Sequence, residues 1–505
     1  MELQFPSLIL FFTSLLFLYT VLKLLGAFSS AKLPPGPRRL PIIGNLHQLK
    51  GAPHRSLKEL AAKHGPIMHL RLGELRTIVL SSPECAKEIL TTHDVIFAQR
   101  PKTMASQILS YNFLDIGFAP YGPYWRQLRR ICKLELLSQS RVDSFRSIRE
   151  EEVSNLVKEI SSCRGSPIDL SKKLFEMTSG IAMSAAFGKH CKHKEEYISA
   201  AYRIIKQNTG FTLVNLFPSF KILGWISGAR PKLEKMHGEK DKIVQKILDE
   251  HKEKREKRMK DGEQVEAEDD EEDQIDVLLK LREQGDLEFP LTDDTIKAIL
   301  WDLVTAGSET SSATMEWAMS EMLRFPETMK EAQAEVRRVY GEKGSVDESN
   351  LHELQYLKAV VKETLRLHPP SPLLTPRESS EACQIHGYDI PAKSRVTINA
   401  WAIERDPKYW PEPEKFSPER FLNSCIDYKG MDFEYIPFGA GRRMCPGIYF
   451  AQANIELLLA KLLFHFDWEL PEGMRKEDID MSESFGLALS RKVGLVVIPI
   501  PWANN

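Results

Sequence analysis

The chain has 505 residues, enough for one large catalytic unit or several ordinary domains, and its 42% hydrophobic and 27% charged residues are those of a globular protein with a large core. A formal net charge of −2 gives no basic excess for holding nucleic acid. Seven scattered cysteines, none in a CxxC pair, argue against a disulfide framework and a structural zinc site, and suit a reducing compartment.

From Leu3 to Leu22 the chain is uncharged and rich in Leu, Phe and Ile. About 20 such residues suffice to cross a bilayer as a helix. A cleaved secretory signal is the alternative, because small residues occur between Ala27 and Ala31. However, the run is longer than a typical signal core, and its positive charges (Lys23, Lys32, Arg38, Arg39) follow it, with only Glu2 ahead. The charge bias favours an uncleaved anchor over residues 1–25, with everything beyond it in the cytoplasm. Pro34-Pro35-Gly36-Pro37, then Pro41 and Gly44, predict a semi-rigid hinge over 26–45, leaving 46–505 as the catalytic domain.

Two short strands are expected at Ile67–Leu72 and Thr77–Ser81, joined through Gly73-Glu74, and helical patterns dominate after Pro83. The block from His251 to Gln274, basic and then acidic, reads as a solvated loop. A helix over Asp293–Leu323 would be about 45 Å long and run through the middle of the molecule. Helices at Pro326–Tyr340 and Leu351–His368, a Pro-rich region of short strands over Pro369–Pro411, a helix at Ile448–Phe466 and a strand at Val493–Ile500 complete the chain. No repeat is visible. The expected class is mainly α with minor β: one large helical domain plus a small β-rich lobe.

Chemistry concentrates in Phe438-Gly439-Ala440-Gly441-Arg442-Arg443-Met444-Cys445-Pro446-Gly447. Gly439 and Gly441 let the backbone bend tightly and approach a flat ligand. Cys445 stands just before a helix, where N–H groups favour a thiolate, Gly447 allows that helix to start against the same ligand, and Arg443 can reach an anionic edge. A cysteine beside Pro and Gly is, taken alone, merely a helix start. Glu363 and Arg366 share a helix face at a spacing of three and can pair. Trp125 and Arg129 share one at a spacing of four, and Arg126, Arg130 and Lys133 form a separate basic stripe.

The loop matches F-x-x-G-x-R-x-C-x-G at Phe438, Gly441, Arg443, Cys445 and Gly447, and so resembles the haem-binding loop of the cytochrome P450 superfamily. Glu363-Thr364-Leu365-Arg366, Pro418-Glu419-Arg420-Phe421, Ala306-Gly307-Ser308-Glu309-Thr310 and Trp125-Arg126-Gln127-Leu128-Arg129 resemble further landmarks of that family, in its order. Pro34–Pro37, the segment from Lys362 to Pro370 and that from Asn399 to Asp406 are similar to the plant A-type (seventy-one clan) branch, within it the terpenoid- and alkaloid-oxidising group.

What the resemblance implies is the P450 fold and haem b with Cys445 as its axial thiolate. Phe438, Gly439, Gly447 and Ala306 would lie against the haem, and Trp125, Arg129, Arg377 and Arg443 would meet its propionates. Glu363, Arg366 and Arg420 would form a buried ion network, and Glu309 and Thr310 would relay protons in oxygen activation. A mid-helix threonine can equally well bond back to its own helix.

Expected substrate contacts are Phe113, Phe118, Trp301, Leu303, Thr305, Leu373, Leu374, Phe485 and Leu487, any of which could instead be core. The implied reaction is monooxygenation of a small hydrophobic plant metabolite, a terpenoid by first expectation (a diterpenoid among them) and an alkaloid or phenylpropanoid otherwise. It uses O2 and NADPH-derived electrons delivered by NADPH–cytochrome P450 reductase, for which the basic stripe is the expected dock. The expected location is the endoplasmic reticulum membrane, single-pass, with the catalytic domain cytoplasmic and no nucleic acid partner. A haem-dependent isomerase or lyase, or a non-catalytic haem protein, remains the reading of another class.

Overall fold

The computed structural model describes residues 10–19, 32–163, 165–207, 213–220, 222–260, 272–486 and 488–502. Of the expected anchor only residues 10–19 fall within it, as a helix with exposed side chains. Among the described residues no helix is long and apolar enough to cross a membrane.

The chain first builds a small sheet. Pro53 opens helix α1 (Pro53–His64), which leads into strands β1 (Ile67–Leu72) and β2 (Leu75–Leu80), antiparallel from Ile67 opposite Leu80 to Leu72 opposite Leu75. Gly73 makes their turn at φ +63°, where a Cβ would lie 2.6 Å from the Leu216 carbonyl oxygen. The proline segment lies along this sheet: His69 N–H donates to Pro35 O at 2.8 Å, and a Cβ on Gly36 would overlap His69 O. The segment is thus held against β1 at Pro35 and again at Asn45, whose N–H donates to Arg71 O at 2.6 Å.

Helices follow: α2 (Pro123–Ile131), α3 (Arg146–Ser162), α4 (Leu170–Phe187), α5 (Lys194–Gln207), α6 (Ala229–Lys260) and α7 (Gln274–Gln284). The basic half of the charged block belongs to α6, a departure from the expected loop. The cause is cross-helix pairing: Arg255 meets Glu283 at 2.7 Å and Lys252 meets Asp293 at 2.6 Å. Residues 261–271, most of the acidic half, lie outside the described residues.

Helix α8 (Asp293–Arg324) is the axis of the molecule. Thr292 caps it by accepting the Thr295 N–H, Asp293 and Asp294 sit in its first turn, and Pro326 begins the next helix. It packs against α4, α6, α9 (Pro326–Tyr340), α10 (Gln355–Leu367) and α11 (Ile448–His465). Several of its buried hydroxyls bond back to their own helix, as Ser308 does to Val304 O at 2.6 Å and Ser320 to Glu316 O at 2.7 Å. Local bonds of this kind lower the cost of burying a polar position in a central helix.

Strands β3 (Arg377–Glu378) and β4 (Arg395–Ile398) complete the first sheet in the order β1-β2-β4-β3, with β2 and β4 parallel. After α11 come β5 (Phe466–Glu469), the β6–β7 hairpin (Glu483–Phe485, Leu489–Arg491) and β8 (Val496–Pro501), which pairs with β5 and with Ile168–Asp169. One large apolar cluster joins the helices, and separate smaller ones lie under the first sheet. The architecture is mainly helical with a minor β portion.

Candidate active site

The 438–447 loop folds back on itself: Cys445 N–H donates to Phe438 O at 3.0 Å and Met444 N–H to Gly441 O at 3.1 Å. Phe438 packs edge-on against Tyr428, ring centroids 5.2 Å apart. Gly439 and Gly441 both have positive φ, +68° and +70°. Gly441 answers to protein, however: a Cβ there would lie 2.4 Å from Leu90 O and 2.9 Å from Asp94 Oδ1. At Gly439 the nearest atom to such a Cβ would be Leu374 Cδ1, 3.8 Å away, so that backbone alone keeps an open face.

Gly447 precedes α11, and its N–H donates to Cys445 Sγ at 3.4 Å. Cys445 is partly accessible yet set deep among surrounding atoms. Burial pushes its thiol up, against the Gly447 N–H and the Arg129 charge, which pull it down. The Gly447 N–H is the stabilising contact expected at the helix start, and a bound cation would add to it.

Beside the cysteine are buried guanidiniums. Arg443 donates to Ala98 O at 2.9 Å and Ala119 O at 2.6 Å, and lies over the Trp125 ring at 4.1 Å. Arg377 donates to Asp94 at 3.0 Å and to Ala440 O at 3.0 Å. Arg100, absent from the sequence reading, donates to Gly117 O, Thr375 O and Pro376 O. Burial pushes all three down, Arg443 to about 9, and Arg377 also repels Arg100 and Arg443. Arg129 is lowered too, by burial.

Their neighbouring carboxylates are Asp94 and Asp115, and burial together with the nearby Asp302 pushes the Asp115 carboxyl well above its usual range. Arg100, Arg377 and Arg443 thus outnumber the acids beside them, and Asp94 pairs with Arg377 at 3.0 Å. A ligand bearing two carboxylates and a metal for Cys445 fits this donor set, which is the chemistry of haem. The Trp125 indole N–H donates to Ile116 O at 3.0 Å, and its ring lies under the Arg443 guanidinium.

Across from the loop runs the middle of α8. Ala306 is exposed and Thr310 half-buried although the helix is otherwise mostly buried. Gly307 serves packing more than space: a Cβ on it would lie 3.2 Å from the Phe450 ring of α11. The Thr310 hydroxyl donates to Ala306 O at 2.7 Å, the local bond open to any mid-helix threonine. Glu309 turns away toward the β6–β7 hairpin, where its Oε1 accepts from Ala488 N–H at 3.3 Å and its Oε2 is buried without a partner among the described residues. No hydrogen bond joins Glu309 to Thr310. Burial raises the Glu309 carboxyl to about 7, against which the Ala488 N–H pulls down.

Under the loop, Glu363 is fully buried and accepts from Arg366 Nε at 2.7 Å, Arg366 Nη2 at 2.8 Å, Arg420 Nε at 3.0 Å and Ser417 N–H at 2.8 Å. Arg366 also donates to Glu404 O and Pro413 O, both at 2.8 Å. The network ties α10 to the segment leading into the loop.

The expected substrate contacts scatter. Phe113 ends a turn in which Tyr111, Asn112 and Phe113 all have positive φ, and Phe118 follows four half-buried or buried positions later in the same connection. Asp302, missed in the sequence, pins that connection to α8 by accepting the N–H groups of Ile116 and Gly117, each at 3.1 Å. Trp301 belongs to the core, 5.4 Å from Tyr197 and under Lys240 Nζ at 4.6 Å. Thr305 is buried, Leu303 half-buried against the core, and Leu373 lies in the cluster that also touches Phe485. Leu374 has φ +48°. Leu487 lies outside the described residues.

The cytochrome P450 family pattern matches residues 34–496. The chain belongs to the cytochrome P450 family. It is 53% identical over 507 residues to cytochrome P450 71D10 of Glycine max, covering 98% of each chain. It is 51% identical to tabersonine 16-hydroxylase 2 of Catharanthus roseus (98% of this chain, 97% of the relative). To tabersonine 6,7-epoxidase isoform 1 of the same plant it is also 51% identical (93% and 92%). A zebrafish cytochrome P450 solved with progesterone superposes with a TM-score of 0.76 at 26% identity, covering 90% of this chain and all of that one.

This P450 is of the plant seventy-one clan and is a monooxygenase whose cofactor is haem b with a cysteine thiolate, using O2 and NADPH-derived electrons. Haem supplies the reductive cleavage of dioxygen that places one oxygen atom in the substrate. Cys445 is the side chain that would hold its iron, and Arg100, Arg377 and Arg443 the ones that would neutralise its carboxylates. Glu309 holds a proton near neutrality at a buried oxygen, while Asp302 fixes the wall formed by residues 115–118.

Proposed function

We propose that this P450 hydroxylates or epoxidises a rigid, mostly apolar polycyclic metabolite at the endoplasmic reticulum membrane, with electrons from NADPH–cytochrome P450 reductase. The observation that carries the reading is the buried excess of guanidinium charge beside Cys445, which suits haem and little else. Relatives acting on tabersonine, one a hydroxylase and one an epoxidase, favour an alkaloid frame over the terpenoid first expected from the sequence. Reconstituting the haem-loaded enzyme with reductase and NADPH, and identifying products from panels of alkaloids and terpenes, tests this directly. Cys445→Ser should abolish the red-shifted Soret band of the reduced carbon monoxide complex; a variant keeping the parent spectrum refutes the thiolate assignment.

The reductase dock proposed is the exposed basic face of Arg126, Arg130 and Lys133, continued by Arg442. Arg126 and Arg442 each lie 6.0 Å from the Tyr121 ring, which brings the helix and the loop before Cys445 into one positive surface. Reversing these charges should slow haem reduction and flatten its salt dependence. Unchanged rates would remove the dock.

The membrane reading is supported by apolar side chains in the open: Phe220 (52% exposed), Ile222 (62%), Trp225 (58%) and Ile226 (76%), together with Leu40 and Ile42. Their segments meet at the β1–β2 turn, where Gly73 N–H donates to Ile43 O at 3.2 Å and Glu74 N–H to Leu216 O at 2.9 Å. A patch of this kind beside an N-terminal apolar run suits a bilayer surface. Carbonate-resistant sedimentation of the full chain with microsomes is the expected result, and its release into the supernatant would contradict the anchor.

A further inference from the structure

Next to the apolar patch is a cavity of about 420 Å³ whose lining is strongly cationic. Arg71, Arg76, Lys102, Lys393 and Arg395 line it, against Glu74 and Glu378 as the only carboxylates there. Both acids are already engaged: Glu74 accepts the Ser219 N–H at 2.9 Å, and Glu378 pairs with Lys393 at 3.3 Å.

Among the described residues Arg71 and Arg76 have no ion pair, and Arg395 stands opposite Glu378 across the β3–β4 ladder, an acid that Lys393 already shares. Arg71 and Arg76 stand directly opposite one another across the β1–β2 ladder, an arrangement that like charges disfavour. Arg71 donates to Gly73 O at 3.3 Å, whereas Arg76 has neither an ion pair nor a hydrogen bond among the described residues. Arg395 Nε is buried with no partner. The strain shows in neighbouring groups. Burial and then repulsion from Arg71 and Arg39 lower Arg76, and burial with Arg76, Arg39 and Arg71 pushes His69 down to about 4. Such an excess is costly unless an anion enters.

We propose that this cavity binds the phosphate of an anionic membrane lipid, with Arg76 and Arg395 as its principal partners. Pro218 and Asn215 line one side, continuous with the segment bearing exposed Phe220, so a headgroup enters from the surface on which the apolar patch rests. A planar, bidentate guanidinium suits a phosphate monoester better than it suits a zwitterionic headgroup. The choice of a lipid over a soluble phosphate rests on the membrane reading given above.

The test is calorimetric titration of the full haem-loaded chain in neutral detergent with dihexanoyl phosphatidic acid, dihexanoyl phosphatidylcholine and inorganic phosphate. Phosphatidic acid should bind and the choline lipid should not. Arg76→Gln with Arg395→Gln should weaken binding roughly tenfold or more, at about fivefold per arginine. Lys254→Gln with Lys257→Gln, a control on exposed positions of α6, should leave it unchanged. If the arginine pair fails to fold, judged by its carbon monoxide spectrum, Lys102→Gln with Lys393→Gln should give a smaller loss in the same direction. Equal affinity of wild type and the cavity variants overturns the site, and inorganic phosphate binding as tightly as the lipid overturns the lipid assignment. Flotation with phosphatidylcholine vesicles probes the membrane reading separately: failure there, with phosphatidic acid still bound, removes the membrane and retains the phosphate site.

Discussion

Glu309→Gln removes an acid of the central helix that burial raises to near neutrality. The carboxyl titrates at about 7 in the folded chain, against 4.5 for an unperturbed glutamate. The folded state therefore binds this proton more tightly than the unfolded one, and stability falls as pH rises through that interval. A displacement of this size corresponds to about 3 kcal/mol lost in full above pH 7 and absent below about pH 4.5. Glutamine keeps the shape and carries no charge, so the variant should melt with the parent near pH 5 and above it at pH 8. For a chain this long the gap is about 3 °C, at about 1 °C per kcal/mol. Thermal melts of the haem-loaded protein followed at the Soret band, across that pH range, measure it. Product formed per NADPH consumed should fall in the same variant if the carboxyl also supplies protons. Parallel melting curves at every pH, or a gap opening on the acid side, would refute the assignment of a buried neutral acid.

Three further substitutions probe the scaffold around the site. Glu363→Gln strips the carboxylate that pairs with both Arg366 and Arg420, which should cost about 3–5 kcal/mol and appear as loss of haem-containing protein on expression. Gly441→Ala combines a φ of +70° with a Cβ 2.4 Å from Leu90 O, so holoenzyme yield should collapse, while Gly439→Ala, which has room, should fold and lose haem affinity more mildly. Asp302→Ala frees the Ile116 and Gly117 amides; substrate-induced spin shifts should need about tenfold more substrate, with haem content unchanged.

What could be foreseen from the sequence were features that depend on local chemistry. The central helix was expected to end at Leu323 and ends at Arg324, because Thr292, two aspartates and Pro326 fix its ends whatever surrounds it. The strands flanking Gly73-Glu74 follow from a turn that only a left-handed residue allows. Glu363 and Arg366 were expected to pair from their spacing alone, and they do, with Arg420 completing the trio. The family's short patterns did the rest at Cys445, since five fixed positions in ten residues leave few other readings.

What the sequence hid was anything made by convergence of distant segments. Asp94 and Arg100 share one stretch and Arg377 belongs to another, 283 residues from Asp94, and nothing local marks Arg100 as a buried cation or Asp302 as the clamp of a loop. The charged block misled for the same reason: its basic half is stabilised by Glu283 and Asp293, which lie on other helices, so composition alone suggested solvent. The spacing of Trp125 to Arg129 places both on one face, but spacing does not show that the indole N–H donates to the Ile116 carbonyl. The same holds for the Arg71–Arg76 pair, which looks like ordinary surface charge until the β1–β2 register sets the two side by side. Like charges held together by backbone pairing, with their acids engaged elsewhere, define a ligand by what is missing from the balance, and that balance exists only in the folded chain.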